Sequence, residues 1–106
     1  MREPTFLILT ALAARPLHGY GLIQEVSALS AGDVVLGAGT LYGALDRLVE
    51  QDLIAVDREE AVEGRLRRYY RLTDTGAGAL AKEAERLQRH ARAAAERLRQ
   101  RGPVTA

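Results

Sequence analysis

Residues 40–72 read TLYGALDRLVEQDLIAVDREEAVEGRLRRYYRL, and the fold turns on a change of period inside this stretch. Leu41, Leu45, Leu48, Val49 and Asp52 follow one another at steps of four, three, one and three, which places them on one side of a helix. Four of the five are apolar, enough for a stripe that faces a core. The opposite side carries Gly43, Asp46, Arg47 and Glu50, with Thr40 and Ala44 on one flank and Tyr42 on the other. From Leu53 onward the period is two. Ile54 and Val56 alternate with Ala55 and Asp57, and Leu66, Arg68, Tyr70 and Leu72 alternate with Arg67, Tyr69 and Arg71. The polar residues between, Glu59 to Gly64, make the tip. The stretch predicts a helix starting near Thr40 and an antiparallel hairpin with a loose polar tip.

Two helices are expected upstream. Residues 5–14, TFLILTALAA, are almost continuously apolar, with Thr5 available as an N-cap and Arg15-Pro16 as a stop. Leu22, Ile23, Val26 and Leu29 then follow helical spacing and predict an amphipathic helix over 19–30. Glycines 32, 37 and 39 surround Val34-Val35-Leu36, which fits a turn, a very short strand and another turn. Downstream, Thr73 caps a long helix over 74–101 that ends at Gly102-Pro103. Leu80, Ala84, Leu87, Ala91, Ala94 and Leu98 form a heptad seam along it, half of it alanine. A narrow seam on one helix implies a partner helix, and the simplest partner is a second copy of the chain.

Composition sets the outer bounds. The chain has 106 residues, 47% hydrophobic and 27% charged, with a formal net charge of +1, as expected of one soluble globular domain. It contains no cysteine and two histidines, His18 and His90, far apart in sequence, so neither redox chemistry nor a metal site is expected. No P-loop pattern and no carboxylate pair beside a nucleophile is present, and neither a catalytic site nor a cofactor is expected. The apolar run 6–14 is too short to span a membrane and lacks a convincing charged region before it, so a cytoplasmic protein is expected. Net charge offers no general attraction to nucleic acid. Yet 14 of the 15 basic residues are arginine, the side chain suited to bidentate phosphate and guanine contacts.

The fold class that follows is mainly α with a small β-hairpin: a winged helix-turn-helix (residues 1–73), a long C-terminal helix (74–102) and a flexible tail (103–106). In this architecture the third helix enters the major groove, where small or polar outward residues permit close approach to base edges. Thr40, Gly43, Ala44 and Arg47 meet that requirement. Arg47 either reads guanine or is a solvated arginine paired with Asp46 or Glu50. Residues 64–71, GRLRRYYR, hold four arginines and no acid. Gly64, Arg65 and Arg67 are the candidates for backbone or minor-groove contact, unless the strand arginines are taken up by Asp57, Glu59, Glu60 or Glu63 across the hairpin. A winged helix that binds only proteins stays open as an alternative, because fold does not fix function and the net charge is nearly neutral; the arginine-rich wing and the small-residue face of the third helix are the features that distinguish the two.

Pro16-Leu17-His18-Gly19-Tyr20, Gly39-Thr40-Leu41-Tyr42 with Ala44-Leu45 and Arg47-Leu48, Gly64-Arg65, and Arg68-Tyr69-Tyr70-Arg71-Leu72-Thr73 with Gly76 together resemble PadR-type transcriptional regulators. The resemblance runs in order over about residues 5–80, with the single C-terminal helix of the short subclass. It implies a homodimeric repressor of double-stranded promoter DNA with an inverted-repeat operator and, as in some members, release by a small hydrophobic or phenolic effector. It further implies DNA contacts from the hydroxyls of Thr40 and Tyr42 at the start of the recognition helix and from Gly64 and Arg65 at the wing tip. Tyr20 matches a position that either touches a phosphate or packs between helices. Gly37 and Ala38 stand where many members have serine and proline, and Gly43 where many have proline. Phe6, Leu9, Tyr20 and the last helix either line an effector pocket or form a plain packed core.

Overall fold

The computed structural model describes residues 1–103, and the element order is α1 (Glu3–Ala14), β1 (Leu17–His18), α2 (Gly19–Leu29), α3 (Ala38–Glu50), β2 (Ile54–Val62), β3 (Arg65–Leu72) and α4 (Asp74–Arg101). Apart from Pro103, the expected tail lies outside the described residues. α1 buries Ile8, Leu9, Ala11 and Leu12. It begins two residues ahead of the expected Thr5 cap, because Pro4 in its first turn has no N–H to leave unsatisfied and Glu3 sits at the positive end of the helix dipole.

The core joins that face of α1 to Leu17, Leu22, Val26, Leu36, Leu41, Leu45, Leu48, Ile54 and Tyr70. Each fully buried Leu, Ile or Val is worth roughly 1.5–3 kcal/mol of transfer free energy. α3 contributes Leu41, Leu45 and Leu48; Val49 is 39% exposed and Asp52 lies past the end of the helix, so the stripe is narrower than its spacing predicts. The helix ends in a Schellman motif: the Leu53 N–H donates to the Leu48 carbonyl and the Asp52 N–H to that of Val49, both at 3.0 Å, with Asp52 at φ 59°. α3 also starts at Ala38 rather than Thr40, with Gly37 at the N-cap position.

The sheet has the order β1-β3-β2, both pairings antiparallel. The short strand expected at Val34-Val35-Leu36 does not form. The free edge of β3 is occupied instead by Leu17–His18, with Leu17 opposite Tyr70 and His18 opposite Tyr69. Val35 is left 73% exposed in the loop before α3, where the Ser30 hydroxyl accepts from the Val34 N–H at 2.9 Å.

The hairpin tip is tight rather than loose. β2 runs through the polar stretch to Val62, and Glu63 and Gly64, at φ 51° and 77°, form a two-residue turn with both central angles positive. One extra residue, Asp57, bulges β2 between the pairs Val56–Tyr70 and Arg58–Tyr69. Because side chains alternate along a strand, this bulge moves Arg58, Glu60 and Val62 to the face opposite that of Ile54 and Val56.

α4 opens with the Thr73 hydroxyl accepting from the Gly76 N–H at 2.9 Å, the expected cap. Its first turns lie against α1, with Leu80 and Ala84 half-buried, and every residue from Leu87 to Arg101 is exposed. The 28-residue helix is roughly 42 Å long, at 1.5 Å per residue, and accounts for the molecule's longest dimension, 61 Å against 30 and 21 Å.

Candidate nucleic-acid interface

α3 and the wing enclose an open groove of about 690 Å³, with Tyr20 of α2, Tyr42 and Asp46 of α3, and Arg65, Arg67 and Arg68 of β3 among its lining. Tyr20 is 65% exposed, and Tyr42 is 49% exposed. The Tyr42 ring leans on the start of α2, where its Cζ lies 2.8 Å from the place a Cβ on Gly19 would take. That glycine lets the second and third helices approach closely enough for both tyrosines to share the groove.

The other expected residues of α3 divide. Thr40 is exposed. Gly43 is half-buried, and the Arg47 guanidinium folds back along the helix to within 3.6 Å of where a Gly43 Cβ would be. Ala44, expected on the outer flank, instead packs against the core, since a helical residue three after Leu41 and four before Leu48 falls on the buried side.

The wing arginines also divide. Arg58 donates to Glu60 at 2.8 Å and to Asp57 at 3.1 Å, Arg68 to Glu59 at 3.0 Å, and Arg71 lies 3.9 Å from Asp57. The hydrogen bonds raise the Arg58 and Arg68 pKa values, chiefly through Glu60 and Glu59 respectively, and the Arg58 bond lowers that of Glu60. Among the described residues no ion pair involves Arg47, Arg65 or Arg67. Register explains this division: Glu59 faces Arg68 across the ladder, whereas the turn places Arg65 opposite Val62. Arg67 faces Glu60, whose carboxylate is engaged by Arg58.

One arrangement has no counterpart in the sequence reading. His18, Tyr69 and Arg58 form a row across the three strands, the imidazole 5.2 Å from the Tyr69 ring and the Arg58 guanidinium 4.0 Å above it. Burial, and then the charge of Arg67, hold the His18 pKa below its ordinary value, with Glu60 opposing. The row ties the wing to the start of α2, and the Asp57 bulge is what brings Arg58 to that face. Asp46 was likewise placed on the outer side of α3 by spacing, but nothing in the spacing put it opposite the wing.

On the far side of the molecule, Leu87 and Leu98 of the seam are 40% and 61% exposed, and Ala91 and Ala94 are exposed beside them. A second groove of about 350 Å³ lies between α1, the end of α2 and α4, lined by Phe6, Leu7, Leu29 and Leu87 among others. Leu9 is wholly buried and Tyr20 belongs to the wing groove, so neither lines it. Among the described residues no group of acids and histidines is placed to hold a metal ion, and no helix is long and apolar enough to cross a membrane.

Three packed helices with the third laid open beside a two-stranded wing define the winged helix-turn-helix class. Residues 8–82 match the family model described as "Transcriptional regulator PadR-like family", and the chain belongs to that family of transcriptional regulators. It is 40% identical over 85 residues to the transcriptional regulator Rv3488 of Mycobacterium tuberculosis, an alignment covering 80% of this chain and 76% of that protein. It is 33% identical over 86 residues to the transcriptional regulator YqjI of Escherichia coli, covering 81% of this chain but 40% of YqjI. Among solved structures, a PadR family regulator from Clostridium difficile superposes with a TM-score of 0.76 at 23% identity, covering 92% of this chain and 99% of that one. Bacillus subtilis PadR, solved in complex with operator DNA, superposes at 0.70 with 21% identity over 78% of this chain and 48% of that one. At these identities both establish the shared fold.

Proposed function

We infer that this regulator binds a specific duplex sequence as a homodimeric repressor, with α3 in the major groove and the wing, residues 59–68, on the backbone or minor groove. The observation that carries this reading is the division of the arginines. The wing neutralises Arg58, Arg68 and Arg71 internally, while Arg65 and Arg67 at the groove and Arg47 on α3 keep their charge available. Free guanidiniums on the hairpin and on the helix beside it are what phosphate and guanine contacts require. Thr40, Tyr42 and Gly43 on α3, Tyr20 on α2 and Gly64 at the turn complete the contacting surface, and Ala44 supports it from beneath.

Residues 1–73 are the DNA-reading unit in this account and 74–102 the dimerisation helix. Leu80 and Ala84, expected in the seam, instead hold α4 against α1 within the chain, and the exposed remainder, Leu87, Ala91, Ala94 and Leu98, pairs with its copy about a twofold axis. Two recognition helices then meet half-sites about one turn of DNA apart, roughly 34 Å, and the operator is an inverted repeat. The groove beside Phe6 and Leu87 is the place for a small hydrophobic effector that releases the DNA. Fluorescence anisotropy against duplex from upstream of the protein's own coding sequence, beside a scrambled duplex and over a salt series, tests the reading. Preference for the former, with a log–log salt slope reporting several phosphate contacts, supports it. Equal, weak binding to both overturns binding at that promoter and favours a winged helix that docks on protein.

A further inference from the structure

Asp46 stands where an acid is costly. It is exposed on α3, one helical turn after Tyr42, and it lines the groove whose opposite wall is Arg65, Arg67 and Arg68. The wing's ion pairs go to Asp57, Glu59 and Glu60, and among the described residues none reaches Asp46. Its neighbour Arg47 lies back over Gly43, toward the start of the helix. The carboxylate therefore meets the DNA outside any ion pair among the described residues, with the wing arginines across the groove and a polymer of phosphates whose field extends about a Debye length, roughly 8–10 Å in physiological salt.

A donor on the DNA offsets that cost directly. In the major groove the donors are the amino groups of adenine and cytosine. Adenine presents its N7 acceptor beside the amino group, and this lone pair repels a carboxylate, whereas cytosine presents the N4 amino group with no acceptor of its own beside it. We propose that Asp46 is a specificity-determining residue of this regulator, accepting a hydrogen bond from a cytosine N4 amino group at one position of each half-site and repelling other duplexes. The proposal rests on the reading of α3 as the helix that enters the major groove.

The test is selection from a randomised duplex pool, read by sequencing, with the full chain as wild type, Asp46→Asn and Asp46→Ala. Wild type is expected to enrich cytosine at one position per half-site, by about tenfold over the other bases, toward the lower end of the range for one base contact. Asp46→Asn is expected to switch that position to adenine, because an amide both accepts from N6 and donates to N7. Asp46→Ala is expected to lose the preference without gaining another, and both variants to bind scrambled duplex more tightly than wild type. Thermal melting of the variants checks that the exposed site is not needed for folding. Enriched half-sites with the same profile in all three proteins overturn the assignment of Asp46 alone. No enriched sequence with the wild type overturns the major-groove reading and this inference with it.

Discussion

Gly76 lies under the Leu53 carbonyl so closely that a methyl group built on it would overlap the oxygen, at 2.9 Å from the carbonyl carbon and 2.8 Å from Leu72 Cδ1. The neighbouring backbone is pinned and cannot yield: the Leu53 carbonyl also accepts from the Thr73 N–H at 3.2 Å, and the Thr73 hydroxyl donates to the Asp52 carbonyl at 2.6 Å. This contact fixes the angle at which α4 leaves the wing. Overpacking costs about 1–3 kcal/mol, and helix propensity returns at most about 1 kcal/mol on going from glycine to alanine. Gly76→Ala is therefore expected to lower stability by about 2 kcal/mol in urea unfolding. A loss below about 0.5 kcal/mol would show that α4 pivots freely on the corner.

The corner also holds a residue in the left-handed region. Asp52, at φ 59°, occupies the position after the end of α3 that glycine fills at least cost, and its side chain makes no hydrogen bond among the described residues. Asp52→Gly is expected to raise stability by about 0.5–1 kcal/mol, read as a higher urea midpoint. A lower midpoint would mean that the carboxylate, rather than the backbone turn, holds the corner.

The order of helices and hairpin was legible because each element carries its own period: helical steps at Leu41, Leu45 and Leu48, alternation at Leu66, Arg68 and Tyr70. Leu17–His18 was not, since two residues have no period and their partners lie some fifty positions away. The division of the arginines was also hidden. Composition shows four on β3, but which of them an acid claims depends on register, and register depends on the single bulged residue Asp57. The tip illustrates the same limit. Its polar residues suggest slack, yet the Glu63-Gly64 turn and the ladder up to Val62–Arg65 leave only two residues outside the strands.

Glu83 gives α4 an acid-sensitive joint. Its carboxylate receives two hydrogen bonds from Arg86, at 2.9 and 2.6 Å, and these, with the Met1 amino group 3.5 Å away, hold its pKa at about 2 against an ordinary 4.5. The folded value lies below the unfolded one. The contribution is therefore complete above about pH 4.5 and is lost as pH falls toward 2. Glu83→Gln is expected to make the fall of the urea midpoint between pH 5 and 2.5 shallower, and an equally steep fall in the variant would assign the acid limb to other carboxylates.

Arg65 and Arg67 differ from Arg68 in a way that salt can read. Arg65→Ala and Arg67→Ala are each expected to weaken binding to operator and scrambled duplex alike, and to reduce the log–log salt slope by about 1. The double variant Glu59→Ala/Arg68→Ala removes an ion pair without altering net charge, and its slope should match wild type. Arg92→Ala, on the exposed part of α4, controls for charge alone. If Arg92→Ala lowers the slope as much as Arg65→Ala does, the wing acts through its general field and not through contact.

The exposed half of α4 argues for the seam more directly than its spacing does. Among the described residues, those from Leu87 to Arg101 are exposed, with Leu87 partly covered beside Phe6 and Leu7 and Leu98 61% exposed, and a second helix laid on this face would bury both leucines. Placing a carboxylate in a helix–helix seam strands a charge away from water, whereas on a solvated face it changes little. Leu87→Glu should then halve the mass seen by analytical ultracentrifugation while leaving the helical circular dichroism of the wing domain intact. It should also weaken operator binding by at least about a hundredfold, because the second half-site loses the effective concentration that the linked partner provides. A variant with wild-type mass and wild-type affinity would overturn the assignment of this face as the seam.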